Sequence, residues 1–245
     1  MPFNRALTPA RIPDEDALTR QLVGIGMAFA VPPEPDGNIE DTLLFASVAG
    51  MEHGDVRVLA VLTTWLGVHA PRVLADRLVH LVAAHASERV RAYWNGVATW
   101  LSRDRRFARL ARWPSGVQPV DILTTGTEFQ VRRRGEDQRF AGSALRVPAN
   151  VLRDRPADVL EPAELARAHR AYRWRMVIGP TYRADMWAAL EADPQLSAAE
   201  LARRTYGSFP TAWHARRDFR IWCAAGGVGS STTDVARAQG DHRSR

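Results

Sequence analysis

Residues 196–222, LSAAELARRTYGSFPTAWHARRDFRIW, restrict the possible folds of this chain more than any other segment, because they contain two separate helix starts. The first start is Ser197, which Glu200 follows at the spacing of a capping box. Leu201 supplies an apolar inner face for that helix, and the small side chain of Ala202 lets a partner helix cross closely. The pattern predicts a short helix that packs against a neighbour through this face.

The second helix start follows a glycine turn. Gly207 tolerates the positive φ that a sharp turn often demands, Ser208 can cap the next helix, and Pro210 stands in its first turn, where a missing N–H costs nothing. Two helices joined in this way form a helix-turn-helix arrangement. The alternative is a helical hairpin that only closes the domain, with the aromatic side chains of the second helix as its core.

Four segments between residues 39 and 101 carry apolar side chains at three- and four-residue spacing, the period of a helix that is buried on one face. They are residues 39–51, 55–68, 71–84 and 87–101. Pro71 fits the first turn of the third helix, and the Ser87 hydroxyl can cap the fourth. The short connections predict antiparallel helices, which a short basic helix over 103–112 extends into a helical domain of residues 39–116.

A β-hairpin is predicted within residues 117–160. Thr127, Phe129 and Val131 alternate with polar neighbours, as in a half-buried strand, and the polar turn RRRGEDQ follows them. Residues 140–147 then return as the partner strand. This hairpin and its connection separate the two helical parts of the chain.

The remaining segments flank these units. Residues 1–38 form a lead-in with one short helix over 14–30, which a proline cluster ends. Residues 161–223 form the C-terminal domain, in which helices over 161–174 and 182–192 precede the two helices described first. The Gly/Ser/Thr-rich tail, residues 224–245, has too little apolar surface to order itself. The predicted fold is therefore mainly α, with an N-terminal helical domain, a small β-hairpin element and a C-terminal helix-turn-helix domain.

The basic residues, 33 in number and all arginine, are unevenly distributed. Residues 1–100 hold 8 arginines against 11 acidic residues, whereas residues 101–245 hold 25 against 16. A basic second half favours contact with phosphate groups. The alternative is an arginine-rich surface that is simply solvated, because net charge alone governs only non-specific attraction.

Several classes of protein are not indicated. Cys223 is the single cysteine, so no intrachain disulfide and no Cys/His zinc spacing exists, and no cofactor or metal ion is predicted. The N-terminus lacks the apolar core of a signal peptide, and no apolar run approaches the ~20 residues that span a bilayer. These features predict a cytoplasmic protein without membrane contact.

The run ELARRTYGSFPTAWHARRDF, residues 200–219, resembles the motif E-L-A-x-x-x-G-x-S-x-P-T-V of bacterial helix-turn-helix and winged-helix regulators, with Ala212 where valine is common. The resemblance covers about a tenth of the chain and implies that residues 208–222 are a DNA recognition helix. The DNA-binding residues that follow from it are Ser208, Thr211, Trp213, His214, Arg216, Arg217, Arg203, Arg204 and Arg220.

Two positions depart from that motif. Gly207 stands one place later than usual, and Arg216 occupies a position that is usually apolar. A slightly rotated helix would place Ala215 and Phe219 in the packing instead. No β-hairpin follows Trp222, so a wing would have to lie elsewhere, such as in the predicted hairpin.

The sequence predicts a sequence-specific, DNA-binding transcriptional regulator, with the antitoxin-type or regulatory half of a two-gene module as one form of it. A homodimer is expected because helix-turn-helix proteins usually read two half-sites, and the acidic helical domain would bind the second protomer or a protein partner. One alternative is an enzyme with an apolar pocket near His53, His69 or His80. Another is a protein-interaction adaptor whose tryptophan-rich helices bind a partner without DNA.

Overall fold

The computed structural model describes residue 9 and residues 12–226, and in this part the chain is mainly helical, as predicted. The described residues form eleven α-helices. They are α1 (Glu15–Gly24), α2 (Ile39–Glu52), α3 (Val56–His69), α4 (Ala75–Ala84), α5 (Glu88–Trp100), α6 (Thr127–Arg134), α7 (Pro162–Ala168), α8 (Arg170–Ile178), α9 (Tyr182–Ala192), α10 (Ala198–Arg204) and α11 (Phe209–Ala224). Two short strands, β1 (Val120–Asp121) and β2 (Leu145–Arg146), pair in parallel.

The larger of two apolar clusters includes side chains from α1 to α5 around Trp65 and Trp94, which are both fully buried. Each indole N–H has an acceptor inside the cluster. Trp65 donates to the carbonyl oxygen of Ile25 at 2.8 Å, and Trp94 donates to the hydroxyl of Ser47 at 2.9 Å. Because a buried N–H without a partner is costly, these two bonds help to fix α3 and α5 in position.

Side-chain caps set the starts of the helices in this cluster. Asp14, Asn38, Asp55 and Ser87 each accept a hydrogen bond from the backbone N–H three residues later. Each cap satisfies an amide that has no partner inside its helix, and is worth about 1 kcal/mol. The cap predicted at Ser87 is confirmed.

Two predicted helices in this region are wrong in detail. Pro71 does not begin a helix, because it lies in a 3-10 turn and α4 begins later, at Ala75. The basic helix predicted over 103–112 is reduced to a single 3-10 turn, Arg105–Phe107. Arg106 in that turn donates to the carbonyl oxygen of Ala70 at 3.0 Å, so a contact with the end of α3 holds the segment instead of a continued helix.

The β-hairpin predicted over residues 127–147 is wrong. Its first strand is the helix α6, which begins after Gly126, a residue with φ 79°. Glu128 and Arg132 form an ion pair one helical turn apart, and glutamate, glutamine and arginine favour helices, so these local preferences outweigh the alternation. β2 pairs in parallel with β1, and no hairpin joins the described strands. The segment therefore supplies no wing.

The smaller apolar cluster joins α8, α9, α10 and α11. Trp187 of α9 lies between three other aromatic rings, with centroid distances of 5.0 Å to Trp174, 5.5 Å to Phe219 and 5.7 Å to Trp222. Aromatic pairs at such distances stabilise a core beyond the area they bury. The cluster therefore fixes one face of α11 against α8 and α9.

The helix predicted over residues 161–174 is divided at His169 into α7 and α8. His169 has an extended backbone with φ −128°, and its Nδ1 accepts a hydrogen bond from the N–H of Tyr172 at 3.2 Å. The histidine thus ends one helix and caps the next. The bounds predicted for α9 are those observed. Most of the predicted tail, residues 224–245, lies outside the described residues.

Candidate nucleic-acid interface

α10 and α11 are joined by residues 205–208, and each begins after the predicted serine. Ser197 accepts a hydrogen bond from the N–H of Glu200 at 3.1 Å, and Ser208 accepts one from the N–H of Thr211 at 3.2 Å. A proline stands in the first turn of α11, where its missing N–H leaves no unpaired donor. Local sequence signals therefore position the N-terminus of α11.

The connection between these helices differs from the prediction at its left-handed residue. That residue is Tyr206, with φ 57°, and not Gly207. The N–H of Gly207 donates to the carbonyl oxygen of Ala202 at 3.0 Å, the longer of the two bonds in a Schellman motif. The glycine is needed for another reason, since a Cβ at this position would lie 2.1 Å from Cε of Met186. The turn thus lies directly on α9.

The inner face of α11 consists of small residues and one large aromatic residue. Ala212, Ala215 and Phe219 are buried, whereas Arg216 is only half-buried. This is the rotated arrangement, in which alanine and phenylalanine pack in place of the arginine. Nε of Arg216 is buried and has no hydrogen-bond partner among the described residues. Arg216 therefore lies at the edge of the packed face.

We call the exposed side of α11 the outer face. It carries Phe209, Trp213, His214, Arg217, Arg220 and Ile221. Trp213 is 51% exposed, with its ring centroid 5.0 Å from that of His214 and 5.7 Å from the guanidinium carbon of Arg217. Four of the predicted DNA-binding residues therefore share one surface. Trp213 does not belong to the core, whereas Phe219 and Trp222 do pack there.

The other predicted residues lie apart from this surface or at its border. Ser208 and Thr211 are half-buried, and their hydroxyls are 2.6 Å apart within the cap of α11. Arg203 and Arg204 are exposed at the end of α10, next to the connection. Together with Arg217 they put positive charge on both helices.

Carboxylates already engage these arginines. Glu200 accepts hydrogen bonds from Arg203 at 2.6 Å and from Arg204 at 2.7 Å, and these bonds lower the pKa of Glu200 to about 2. The guanidinium of Arg217 lies 2.9 Å from Asp218, whose pKa it likewise lowers. The three arginines are at least half exposed and their carboxylate partners are partly exposed, so solvent weakens each pair and a phosphate oxygen can compete for the arginine.

A buried ion cluster that the sequence does not predict lies where the two apolar clusters meet. The guanidinium of Arg175 lies between two carboxylates, at 2.7 Å from Glu40 and 2.7 Å from Asp185. All three side chains are at least nine-tenths buried. Burial alone would raise the pKa of Glu40, but the charge and hydrogen bonds of Arg175 hold it below its usual value. This cluster joins α2 to α8 and α9.

A second buried group fixes the connection before α11. The carboxylate of Asp41 binds the guanidinium of Arg77 on α4, and it also accepts a hydrogen bond of 2.9 Å from the hydroxyl of Tyr206. The guanidinium carbon of Arg77 lies 3.7 Å from the ring centroid of Tyr206. The left-handed residue is thus fixed to α2 and α4 of the larger cluster, so α11 has a defined orientation relative to it.

One feature of the sequence indicates buried charges here, although it does not identify their partners. Arg175 and Asp185 both stand inside apolar, tryptophan-containing runs, where a charged side chain must find a partner or remain exposed. Nothing in the sequence identifies Glu40 as that partner. It stands at the start of α2, where an acidic residue is ordinary because it interacts favourably with the helix dipole.

The histidines considered as enzyme residues occupy different environments. His69 is fully buried, with Nδ1 at 2.7 Å from the hydroxyl of Tyr172 and Nε2 at 3.0 Å from the carbonyl oxygen of Leu160. The carbonyl can only accept, so Nε2 carries the proton and the tyrosine donates to Nδ1. Burial lowers the pKa of His69 to about 4. His80 binds its own helix through the carbonyl oxygen of Asp76, whereas His53 lines a cavity described below.

Comparison of the chain with protein-family models, with characterised proteins and with solved structures gives no match. None of the described helices is both long and apolar enough to cross a membrane. Within the described residues, no group of three or more histidine, cysteine, aspartate or glutamate side chains is placed to hold a metal ion. Function is therefore inferred from the geometry of α10, α11 and their surroundings.

Proposed function

We propose that the chain binds double-stranded DNA in a sequence-specific manner and acts as a transcriptional regulator, with the outer face of α11 in the major groove. The observation that carries the proposal is the two-sided character of α11. Its inner face is packed through small residues, while its outer face presents Trp213, His214, Arg217 and Arg220 to solvent. A capped helix with exposed arginine and histidine side chains has the dimensions and donors that a major groove accepts.

The exposed arginines have separate roles in this proposal. Arg217 and Arg220 donate to base edges, where a bidentate contact with guanine O6 and N7 is worth about 1–3 kcal/mol of discrimination. Arg203 and Arg204 contact the phosphate backbone, and their ion pairs with Glu200 break when DNA binds. The positive end of the α11 dipole attracts a phosphate near Ser208. A homodimer would place two such helices on adjacent half-sites.

The test compares the intact chain with Arg217→Ala and Trp213→Ala in fluorescence-anisotropy titrations of genomic fragments and of random duplex at two salt concentrations. Both variants should lose preference for the selected fragment. Arg132→Ala on α6 is the matched control, because Arg132 is also an exposed arginine paired with one carboxylate, and it should bind as the wild type does. If the intact chain binds no fragment more tightly than random duplex, the proposal fails.

A second candidate function is a protein-interaction surface on the same face. Phe209, Trp213 and Ile221 are 51%, 51% and 62% exposed, which leaves an apolar strip along α11. Tryptophan and phenylalanine are enriched in the centres of protein interfaces. In this case Trp213→Ala would change the molar mass measured by light scattering, or abolish partner binding. The intact chain would show no DNA affinity that depends on salt.

A further inference from the structure

We infer that a cavity between α1, α2 and α3 binds a small organic cation with an apolar body, such as an arylalkylamine. The cavity has a volume of about 690 Å³ and lies away from α10 and α11. Sites for small molecules in proteins usually have volumes of about 300–1,000 Å³. The inference does not depend on DNA binding, because none of the lining residues belongs to the outer face of α11.

The wall of the cavity is apolar and accessible. Its apolar side chains come from α1, the following loop, α2 and α3, and they include Leu18, Leu22, Phe29, Phe45, Val48 and Val58. Leu22 and Val58 are buried, whereas the other four are only half-buried. Half-buried aromatic and aliphatic side chains around an open volume lose their remaining water contact when an apolar ligand enters, which favours binding.

The polar groups around the cavity select a cation. Asp14, Glu15 and Asp55 supply three carboxylates, against which the lining places one arginine, Arg57. Asp14 and Asp55 each use Oδ1 to cap a helix, at 2.8 Å and 2.9 Å from the backbone N–H, so an entering cation would meet Oδ2. An excess of carboxylate next to an apolar wall attracts an ammonium group and repels a carboxylate ligand.

One aromatic ring of the lining, Phe29, already makes a cation–π contact with Arg57 of the same chain. The guanidinium carbon of Arg57 lies 5.4 Å from the ring centroid of Phe29, within the range of a cation–π interaction. This face of Phe29 is therefore occupied by Arg57, and the remaining aromatic ring of the lining is Phe45. A ligand ammonium group could make the same kind of contact with a lining ring.

The test uses three probes of matched size: phenylpropylamine, phenylpropanol and phenylpropionate. Isothermal titration calorimetry on the whole chain should rank the amine first and the carboxylate last, with the amine at least about 5-fold tighter than the carboxylate. Asp14→Asn and Asp55→Asn keep a residue that caps helices well but remove the charge. Each should weaken the amine by about 2- to 5-fold and leave the alcohol unchanged. Asp193→Asn is the control, because Asp193 also accepts a backbone N–H but lies elsewhere.

A filled cavity tests the location of the site. Val48→Phe, if circular dichroism shows that it is folded, should abolish binding of the amine because the new ring fills the cavity. If Val48→Phe does not fold, Asp14→Asn and Asp55→Asn still test the inference. Equal affinity for the amine and the carboxylate, or unchanged amine affinity in both aspartate variants, would overturn the inference.

Discussion

The hydroxyl of Tyr206 donates a hydrogen bond of 2.9 Å to the carboxylate of Asp41, and this bond joins the connection before α11 to the start of α2. Burial and the nearby carboxylate raise the pKa of Tyr206 to about 12, so the phenol stays protonated and remains a donor at ordinary pH. Asp41 stands on α2, which contributes to the larger apolar cluster, whereas Tyr206 connects α10 and α11, which contribute to the smaller one. Because Tyr206 is also the left-handed residue of the turn, the position of α11 depends on a contact with the larger cluster.

Tyr206→Phe should therefore lower the free energy of unfolding by about 0.5–1.5 kcal/mol. The variant keeps the ring that lies over Arg77 and loses the hydroxyl, with its hydrogen bond to Asp41 and its contact with the Arg77 guanidinium. Urea denaturation measures the change. Tyr182→Phe is the matched control, because the Tyr182 hydroxyl donates to the exposed Asp76 at 3.3 Å, and its loss should cost less. Equal losses in the two variants would contradict the role given to Tyr206.

Arg175→Met should destabilise the protein far more strongly. It leaves Glu40 and Asp185 buried without their cation, and such uncompensated charge typically costs about 3–5 kcal/mol. Adding Glu40→Gln and Asp185→Asn removes both charges and should restore part of the stability. Chemical denaturation of the single and triple variants gives the comparison. A triple variant no more stable than the single one would contradict the electrostatic explanation.

Gly207→Ala should destabilise the protein by about 1–3 kcal/mol, because the new Cβ would lie 2.1 Å from Cε of Met186 and the side chains must shift. Gly37→Ala is the control. Its Cβ would meet nothing closer than 3.8 Å, at Cγ of Gln21, so its effect should be small. Thermal unfolding of both variants tests the prediction. The double variant Gly207→Ala with Met186→Ala should recover part of the loss if the clash is its cause.

His69 should make stability depend on pH on the acidic side of neutrality. Its folded pKa is about 4 against 6.5 for the free side chain, so between these values the unfolded chain binds a proton that the folded chain does not. The contribution is complete above pH 6.5 and is lost as pH falls toward 4, at up to about 1.4 kcal/mol per pH unit. His69→Gln should flatten this part of the profile in urea titrations. Burial lowers the pKa of His169 too, so some slope should remain.

Glu200→Gln should increase DNA affinity if α10 contacts phosphate. The substitution removes the charge that holds Arg203 and Arg204, and it should tighten binding by about 2- to 5-fold at low salt, with the gain shrinking at high salt. Glu128→Gln on α6 is the matched control, since it also frees an exposed arginine within its own helix. If anisotropy titrations show the same gain in DNA affinity for both variants, net charge alone explains the gain and α10 has no specific contact with phosphate.

Helix starts were the part of the fold most accessible from sequence. Ser87, Ser197 and Ser208 cap their helices as predicted, because a cap requires only a side chain and a backbone N–H three residues later. Of the capping box predicted at Ser197 and Glu200, only the serine half is observed, since the Glu200 carboxylate binds Arg203 and Arg204. The strand predicted where α6 lies was also inferred from a local pattern, and it is wrong. Alternation of Thr127, Phe129 and Val131 fits a strand, but a strand needs a partner, and β2 pairs with β1 instead.

The sequence by itself determined a mainly helical chain and the two capped helices α10 and α11, since these depend on residues three or four positions apart. Only the tertiary structure decided which face of α11 is exposed, and that Tyr206 rather than Gly207 carries the left-handed backbone. It also decided that Arg175 lies between Glu40 and Asp185. Arg175 and Glu40 are far apart in the chain, and a charged residue can enter a core only when such a distant partner compensates it. No local pattern records that pairing, because it exists only once the two apolar clusters have packed together.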